Sequence, residues 1–65
     1  MWMENLKIGD LFYNNANNTL AYIININTER NYFCYKFIWG NLIEINQYRL
    51  SYFNDWLEVN NYEKV

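Results

Sequence analysis

The sequence contains no histidine and no proline, and it has one cysteine and two glycines. A single cysteine excludes a disulfide within the chain, and without histidine the usual zinc sites cannot be assembled. The absence of histidine also removes the commonest base that activates a serine or cysteine nucleophile. The chain therefore lacks the covalent and metal supports of many small domains, and its composition argues against nucleophilic catalysis.

Charge is also sparse, and its balance is mildly acidic. Five Lys and Arg residues are scattered among seven Asp and Glu residues, which gives a formal net charge of −2. No basic run is present that would bind phosphates or an anionic membrane. Neither an 18-residue apolar span nor a leader typical of a signal peptide is present. We therefore expect an intracellular protein whose thiol stays reduced.

Aromatic residues, in contrast, are abundant: three Trp, seven Tyr and four Phe in 65 residues. A single domain of this size buries only about 60% of its unfolded surface. Each aromatic side chain can bury ~150–250 Å², which is more in total than so small an interior can hold. Exposed aromatic patches usually mark contact surfaces. The composition therefore indicates a protein that binds a partner.

The hydrophobic pattern predicts short strands joined by polar turns. Period-two alternation is clearest over residues 19–26 and 32–39. Two more strands are predicted, one before this pair over residues 7–13 and one after it over residues 42–46. Asparagine tolerates left-handed backbone angles, so the asparagine-rich segments 14–18 and 27–31 are predicted to be turns. The pair Gly40-Asn41 is typical of a type II′ hairpin turn.

The end of the chain is less regular. We predict a 3₁₀ turn near residues 51–55 and a last strand over 56–59. A helix over residues 45–57 is the alternative, which the aromatic and β-branched content disfavours. Trp39 and Trp56 are assigned to the core. The chain is predicted to divide into three segments, which are an N-terminal lead-in over residues 1–6, one domain over 7–59 and a C-terminal tail over 60–65.

Short, twisted sheets tend to close because closure removes exposed edges. Four segments, in their order along the chain, resemble the strand motifs of small phage-encoded and related bacterial SH3-like barrel proteins. They are Lys7-Ile8-Gly9-Asp10-Leu11-Phe12, residues 20–26, Tyr35-Lys36-Phe37-Ile38-Trp39 and Asp55-Trp56-Leu57-Glu58-Val59. Phe12 and Phe37 are bulkier than the residues usual at these positions, and asparagine replaces an acidic or glycine-rich turn. The resemblance implies an all-β, five-stranded SH3-like barrel that serves as a binding module, without a catalytic residue or cofactor.

Candidate catalytic residues are few. Cys34 lies in the middle of a predicted strand without an activating neighbour. Four carboxylates could in principle act as acid and base, but turn capping and solubility explain them better: Asp10, Glu44, Asp55 and Glu58. A barrel of 65 residues also lacks room for a deep pocket. We therefore predict no enzyme activity, no cofactor and no metal.

A protein partner is the favoured ligand, because aromatic anchors carry most interface energy. The residues expected to contact it are Trp2, Tyr13, Ile23, Tyr32, Ile38, Tyr52 and Phe53. The favoured role is a minor structural component of a virion or another assembly, with a small inhibitor or regulator of a host protein as the alternative. The expected location is the host cytoplasm or the virion.

Two other ligand classes are weaker alternatives. Nucleic acid could stack on Tyr35 and Tyr48 beside Lys36 and Arg49, but the net charge of −2 opposes binding to phosphates. An aromatic cage for a methylated cation could use Tyr13, Tyr32, Tyr52 and Phe53 with Asp55.

Overall fold

A computed structural model describes residues 6–65 of the chain. The five strands are β1 (Leu11–Asn14), β2 (Thr19–Asn27), β3 (Tyr32–Trp39), β4 (Leu42–Arg49) and β5 (Glu63–Lys64). A 3₁₀ turn (Leu50–Tyr52) and helix α1 (Phe53–Asn60) lie between β4 and β5. The strands form one antiparallel sheet in the order β4-β3-β2-β1-β5. The fold is thus mostly β, but within the described residues the sheet is open with β4 and β5 at its edges, and the predicted closure into a barrel is not confirmed.

The predicted turns between the strands are confirmed. Asn18 and Asn31 have φ of 60° and 61°, the left-handed region that asparagine tolerates. Gly40 also has a positive φ of 60°, whereas Asn41 does not. A positive φ at the first central residue alone is the signature of a type II′ turn. Trp39 and Leu42 are paired across this turn, so Gly40-Asn41 forms the expected two-residue hairpin loop.

Helix α1 packs on one face of the sheet, which we call the inner face. Phe53, Trp56, Leu57 and Asn60 follow helical spacing and are all buried or half-buried. The Trp56 side chain is only 1% exposed. Among the described residues five aromatic rings lie against it, those of Phe12, Phe33, Tyr35 and Phe53 at centroid distances of 5.7, 5.1, 5.0 and 5.8 Å and that of Tyr62 at 4.7 Å. This cluster is the core, and the assignment of Trp56 to it is confirmed.

The helix corrects the prediction for residues 51–59. Residues 56–59 are helical rather than a strand, because burial of the Phe53 and Trp56 rings outweighs the weak helix propensity of the segment. The predicted 3₁₀ turn is present but begins one residue earlier, at Leu50. The alternative helix over residues 45–57 is wrong in its first half, because β4 continues to Arg49.

Residues 60–65 do not form a tail. Asn61 ends α1 with a left-handed φ of 55°, as C-terminal helix caps commonly do. Tyr62 is buried, and its ring centroid lies 4.7 Å from that of Trp56. Glu63–Lys64 then pair with β1, and the amide of Val65 donates to the carbonyl of Leu11 at 2.9 Å. The last residues therefore complete the sheet.

The first strand also begins later than predicted. Residues 7–10 form a tight turn in which the Asp10 carboxylate accepts a 2.9 Å hydrogen bond from the Lys7 amide. Gly9 has a φ of 98°, which favours glycine at this position. Leu6, assigned to the lead-in, is buried in the core. The regular ladder between β1 and β2 starts with the pair Leu11 and Tyr22.

Trp39 is 57% exposed, so its assignment to the core is wrong. It shares the inner face with Phe33, as the alternation predicted, but α1 does not reach it. An eight-residue helix spans about 12 Å, whereas an eight-residue strand spans about 27 Å. The helix therefore covers only part of the inner face, and Trp39 projects beyond it together with Leu42.

Candidate functional site

The face of the sheet opposite α1, which we call the outer face, presents a band of apolar side chains. Residues paired across an antiparallel sheet share a face, so the register defines two rows. The first row contains Tyr13, Leu20, Ile38 and Ile43, and the second contains Leu11, Tyr22, Lys36 and Ile45. Ile43 and Ile45 are 61% and 59% exposed. Among the described residues, no helix or strand packs over these two isoleucines.

Strand β4 is the second unusual feature of this surface. Seven of its eight residues are exposed and one is half-buried. Its pairing with β3 has no register shift, and the strand contains neither proline nor lysine. Bulges, proline and charged side chains are among the devices that protect sheet edges from pairing with other chains. Of these, β4 carries only the charges of Glu44 and Arg49, so its edge is long, regular and lightly protected.

The hairpin register determines which backbone groups of β4 are free. Trp39 and Leu42 close a two-residue turn, so their backbone N–H and C=O groups form hydrogen bonds with each other. Along an antiparallel strand, residues that are hydrogen-bonded to the neighbouring strand alternate with residues that are not. The N–H and C=O groups of Ile43, Ile45, Gln47 and Arg49 therefore point away from β3, along the edge of the sheet.

Several of the predicted contact residues lie on this surface. Tyr13, Tyr32 and Ile38 are on the outer face, and the structure brings Tyr13 and Ile38 into one row. Tyr32 lies at the other end of the sheet beside Arg49. Tyr52 is exposed on the 3₁₀ turn.

The exposure expected for two other residues is wrong. Ile23 is fully buried and Phe53 is 5% exposed, and both belong to the core. The Phe53 side chain is therefore unavailable for an aromatic cage, and Tyr13 and Tyr32 lie at opposite ends of the sheet. The cage hypothesis is not supported by this geometry. Trp2 lies outside the described residues.

Sequence reasoning missed the three most exposed apolar residues of the outer face, Tyr22, Ile43 and Ile45. In β4, Ile43 and Ile45 alternate with Glu44 and Asn46, a pattern that predicts burial of the isoleucines and gives no signal for their exposure. In β2 the signal was ambiguous, because Ala21 and Ile23 alternate with Leu20 and Tyr22 and both sets are apolar.

A cleft of about 360 Å³ lies where β3 begins and β4 ends. Its lining residues are Arg30, Asn31, Tyr32, Gln47, Tyr48 and Arg49. The adjoining turn is fixed by Asn31, whose side-chain and backbone oxygens accept hydrogen bonds from the amides of Ser51 and Leu50, each at 2.9 Å. The Arg49 guanidinium lies 5.8 Å from the ring centroid of Tyr52. Among the described residues, neither Arg30 nor Arg49 forms an ion pair.

A second cleft, of about 480 Å³, lies between the end of α1 and the turn after β1. Glu58 and Glu63 line it together with Tyr62. Burial raises the pKa of the Tyr62 phenol above 10.0, although a hydrogen bond with Thr19 opposes this effect. The cleft contains neither cysteine nor serine, so it offers no nucleophile of the usual kind.

The described residues give little basis for other chemistry. In residues 6–65, no three His, Cys, Asp or Glu side chains are grouped so that they could hold a metal ion. No helix in this part of the chain is long and apolar enough to cross a membrane. No protein-family model, curated protein or solved structure matches the chain. The candidate functional features of the described residues are therefore the outer face, the β4 edge and the cleft lined by Arg30 and Arg49, which we call the arginine cleft.

Proposed function

We propose that this protein is a non-enzymatic interaction module that binds a protein partner through its outer face and the edge of β4. The observation that carries the proposal is the exposure of Ile43 and Ile45 on an edge strand whose outward backbone groups have no strand partner among residues 6–65. An exposed apolar edge is an aggregation hazard unless another chain covers it. A partner that pairs with β4 satisfies the backbone groups and buries both isoleucines.

Within this proposal, the protein is an open variant of the SH3-like barrel and a minor component of a virion or another assembly. The 3₁₀ turn predicted before the last strand has a counterpart in the helical segment between the fourth and fifth strands, although residues 55–59, which the resemblance assigns to that last strand, belong to α1. The apolar character of the outer face suits a permanent contact, because obligate interfaces are more apolar than transient ones. An inhibitor of a host protein is the alternative role for the same surface.

A pull-down from the source cells with the tagged protein tests the proposal. The informative variant is Ile43→Ser combined with Ile45→Ser, which makes the surface polar and leaves the core intact. Val59→Ser is the matched control, because Val59 is 77% exposed but lies on α1. We expect the double variant to fold and to recover less than a tenth of the partner that wild type recovers. Val59→Ser should recover the wild-type amount.

A second double variant, Tyr32→Ser with Ile38→Ser, tests the remainder of the outer face. Both side chains are half-buried there, so we expect weaker binding and a small loss of stability. Recovery of capsid, portal or tail proteins at high salt would support the assembly role, whereas a single host enzyme would support the inhibitor. Equal recovery by wild type and the Ile43/Ile45 double variant would refute the proposed surface.

A further inference from the structure

Charge is distributed unevenly over the molecule. On the outer face, strands β2, β3 and β4 carry Lys36 and Arg49 and no carboxylate. Of the acidic residues near β4, Glu44 lies on its inner face and Glu29 precedes Arg30 in the turn before β3, whereas Asp55 and Glu58 are on the exposed side of α1. The outer face of β2, β3 and β4 is therefore locally positive, although the chain as a whole has a net charge of −2.

The arginine cleft lies at the end of this surface. Arg49 is the last residue of β4 and shares the outer face with Tyr32 and Gln47, which also line the cleft. Arg30 reaches it from the preceding turn, whose backbone is fixed by the bond from the Arg30 amide to the Asn27 side chain at 2.9 Å. Two guanidinium groups beside one cleft, each without an ion pair among the described residues, form a site for a carboxylate or another anion.

A strand added to β4 would place its side chains in a defined order. On the outer face its residues would lie opposite Ile43, Ile45, Gln47 and Arg49, because paired residues share a face. The residues opposite the isoleucines would need to be apolar, and the residue opposite Arg49 would enter the arginine cleft. On the inner face, one added residue would lie opposite Glu44.

We infer that the partner contributes an extended segment that adds to β4 as an antiparallel strand and places a carboxylate in the cleft between Arg30 and Arg49. This inference rests on the proposed function and specifies the chemistry of the partner. The ligand pattern is acidic at the residue opposite Arg49, polar two residues later, and apolar at the next two outer positions. The free backbone groups of β4 supply affinity, and the arginines determine the register.

A second copy of the chain does not fit this site. If two β4 edges pair about a two-fold axis normal to the sheet, residues of the outer face oppose residues of the outer face. The outer-face residues of β4 are Ile43, Ile45, Gln47 and Arg49, none of which is a carboxylate. Glu44 lies on the inner face and cannot reach the Arg49 of the other copy in that arrangement. A distinct partner is therefore required to pair the arginine charge.

Two peptides of identical composition test the inference. The probe is Glu-Thr-Gln-Thr-Val-Lys-Val, in which Glu lies opposite Arg49 and Lys opposite Glu44. The matched control is Lys-Thr-Gln-Thr-Val-Glu-Val, in which the two charges are exchanged. Both carry blocked termini, and binding is followed by two-dimensional NMR of the whole chain, which detects millimolar affinity. We expect the probe to shift the amides of β4 and to bind about tenfold more tightly than the control.

Protein variants separate the contributions of charge and backbone. Arg49→Glu should abolish the preference between the two peptides, because each peptide then makes one attractive and one repulsive charge pair, and Arg30→Gln should weaken binding of the probe alone. A probe with proline at its third position, opposite Gln47, should not bind, because proline there removes a backbone N–H that would donate to β4. Equal affinity for the two peptides, or no shift of β4 amides with either, would overturn the inference.

An oligothymidylate ten-mer provides the last comparison. If it binds with strong salt dependence and loses affinity in an Arg30→Gln, Arg49→Gln double variant, the cleft receives phosphates and the peptide inference is wrong. The pull-down remains an independent measure of the proposed function. Loss of partner binding in the Ile43/Ile45 double variant, together with failure of the peptides, would retain the interaction surface and reject only the acidic strand.

Discussion

The rings of Trp56 and Tyr62 lie 4.7 Å apart between centroids, with their planes inclined by 39°. Trp56 is in α1 and Tyr62 immediately precedes β5, so this contact joins the helix to the last strand of the sheet. The Trp56 ring also contacts Phe12 of β1 and Phe33 of β3. One indole therefore connects the helix to β1, to β3 and to the residue that precedes β5, and the stability of the fold depends on it more than on any exposed aromatic residue.

The first prediction concerns the two tryptophans of the described region. We expect Trp56→Ala to lower the free energy of unfolding by about 3–5 kcal/mol, which is enough to unfold a domain of this size. Trp39→Ala should cost about 0.5 kcal/mol or less, because Trp39 is mostly exposed. Urea unfolding followed by far-UV circular dichroism measures both values. A cooperative Trp56→Ala protein as stable as wild type would show that the aromatic cluster is not the core.

Trp56→Phe refines this test. The indole Nε1 of Trp56 is buried and has no hydrogen-bond partner among the described residues. Phenylalanine removes that unpaired donor but leaves a smaller ring in the cluster. We therefore expect Trp56→Phe to be clearly milder than Trp56→Ala in the same urea titration.

The second prediction concerns Asn14, a buried polar residue. Its side-chain nitrogen donates to the carbonyl of Asn60 at the end of α1, and its side-chain oxygen accepts from the Ala16 amide at 2.9 Å. Asn14→Ala leaves both partners unbonded, so we expect a loss of about 1–3 kcal/mol. Asn14→Asp should cost more, because it places a carboxylate against the Asn60 carbonyl. Asn25→Ala, at an exposed site without a side-chain hydrogen bond among the described residues, is the control and should be close to wild type.

The sequence predicted those parts of the fold that depend on local chemistry. Strand β3 was predicted over residues 32–39, its observed extent, because Phe33, Tyr35 and Phe37 alternate strictly with smaller or polar residues. The Gly40-Asn41 hairpin followed from the backbone angles that glycine permits. The asparagine turns followed from the same argument. In each case the deciding interactions lie within a few residues along the chain.

The parts that sequence reasoning missed depend on contacts between distant residues. Phe53, Trp56 and Leu57 have helical spacing, but their propensity is poor, and the helix forms because its aromatic face is buried against Phe12 and Phe33. The face predicted for Ile23 was also wrong for a reason that is not local. The register shift between Ile23 and Asn25 puts Ile26 on the same face as Ile23, so the apolar set that alternates from Leu20 to Ile26 does not lie on one face.

The candidate site was predicted only in part. Tyr13, Tyr32 and Ile38 were expected on a contact surface because they are large and alternate with core residues, and the structure places them on the outer face. The proximity of Arg30 to Arg49 could not be predicted, because it depends on the pairing of β3 with β4. Whether these residues bind a partner stays a prediction.

The third prediction concerns the hairpin turn. Gly40 has a φ of 60°, and no atom lies within 4 Å of the position that a Cβ would occupy. Gly40→Ala therefore costs backbone strain and causes no clash, and we expect a loss of about 1–3 kcal/mol. Gly40→Asn should cost less than Gly40→Ala, because asparagine tolerates positive φ better. Asn41→Ala is the control, since Asn41 has no positive φ. Equal stability of all three variants in thermal unfolding would contradict the type II′ assignment.

The fourth prediction concerns stability at alkaline pH. Burial raises the pKa of the Tyr62 phenol in the folded protein, a hydrogen bond with Thr19 partly opposes the shift, and the ordinary value of 10.0 applies to the unfolded chain. Above pH 10 the folded state therefore binds more protons at Tyr62 than the unfolded state does. The stability that this group contributes is fully present below pH 10 and is lost as the pH rises through the folded pKa.

Tyr62→Phe removes this titration and retains the ring that packs on Trp56. We expect the variant to lose less stability than wild type between pH 9 and pH 11, so that the difference in unfolding free energy moves in its favour as the pH rises. Urea titrations of both proteins at each pH measure that difference. If it stays constant across this interval, the phenol of Tyr62 is not held in its neutral form by burial, and the packing of β5 against α1 would have to be looser than the 4.7 Å ring contact indicates.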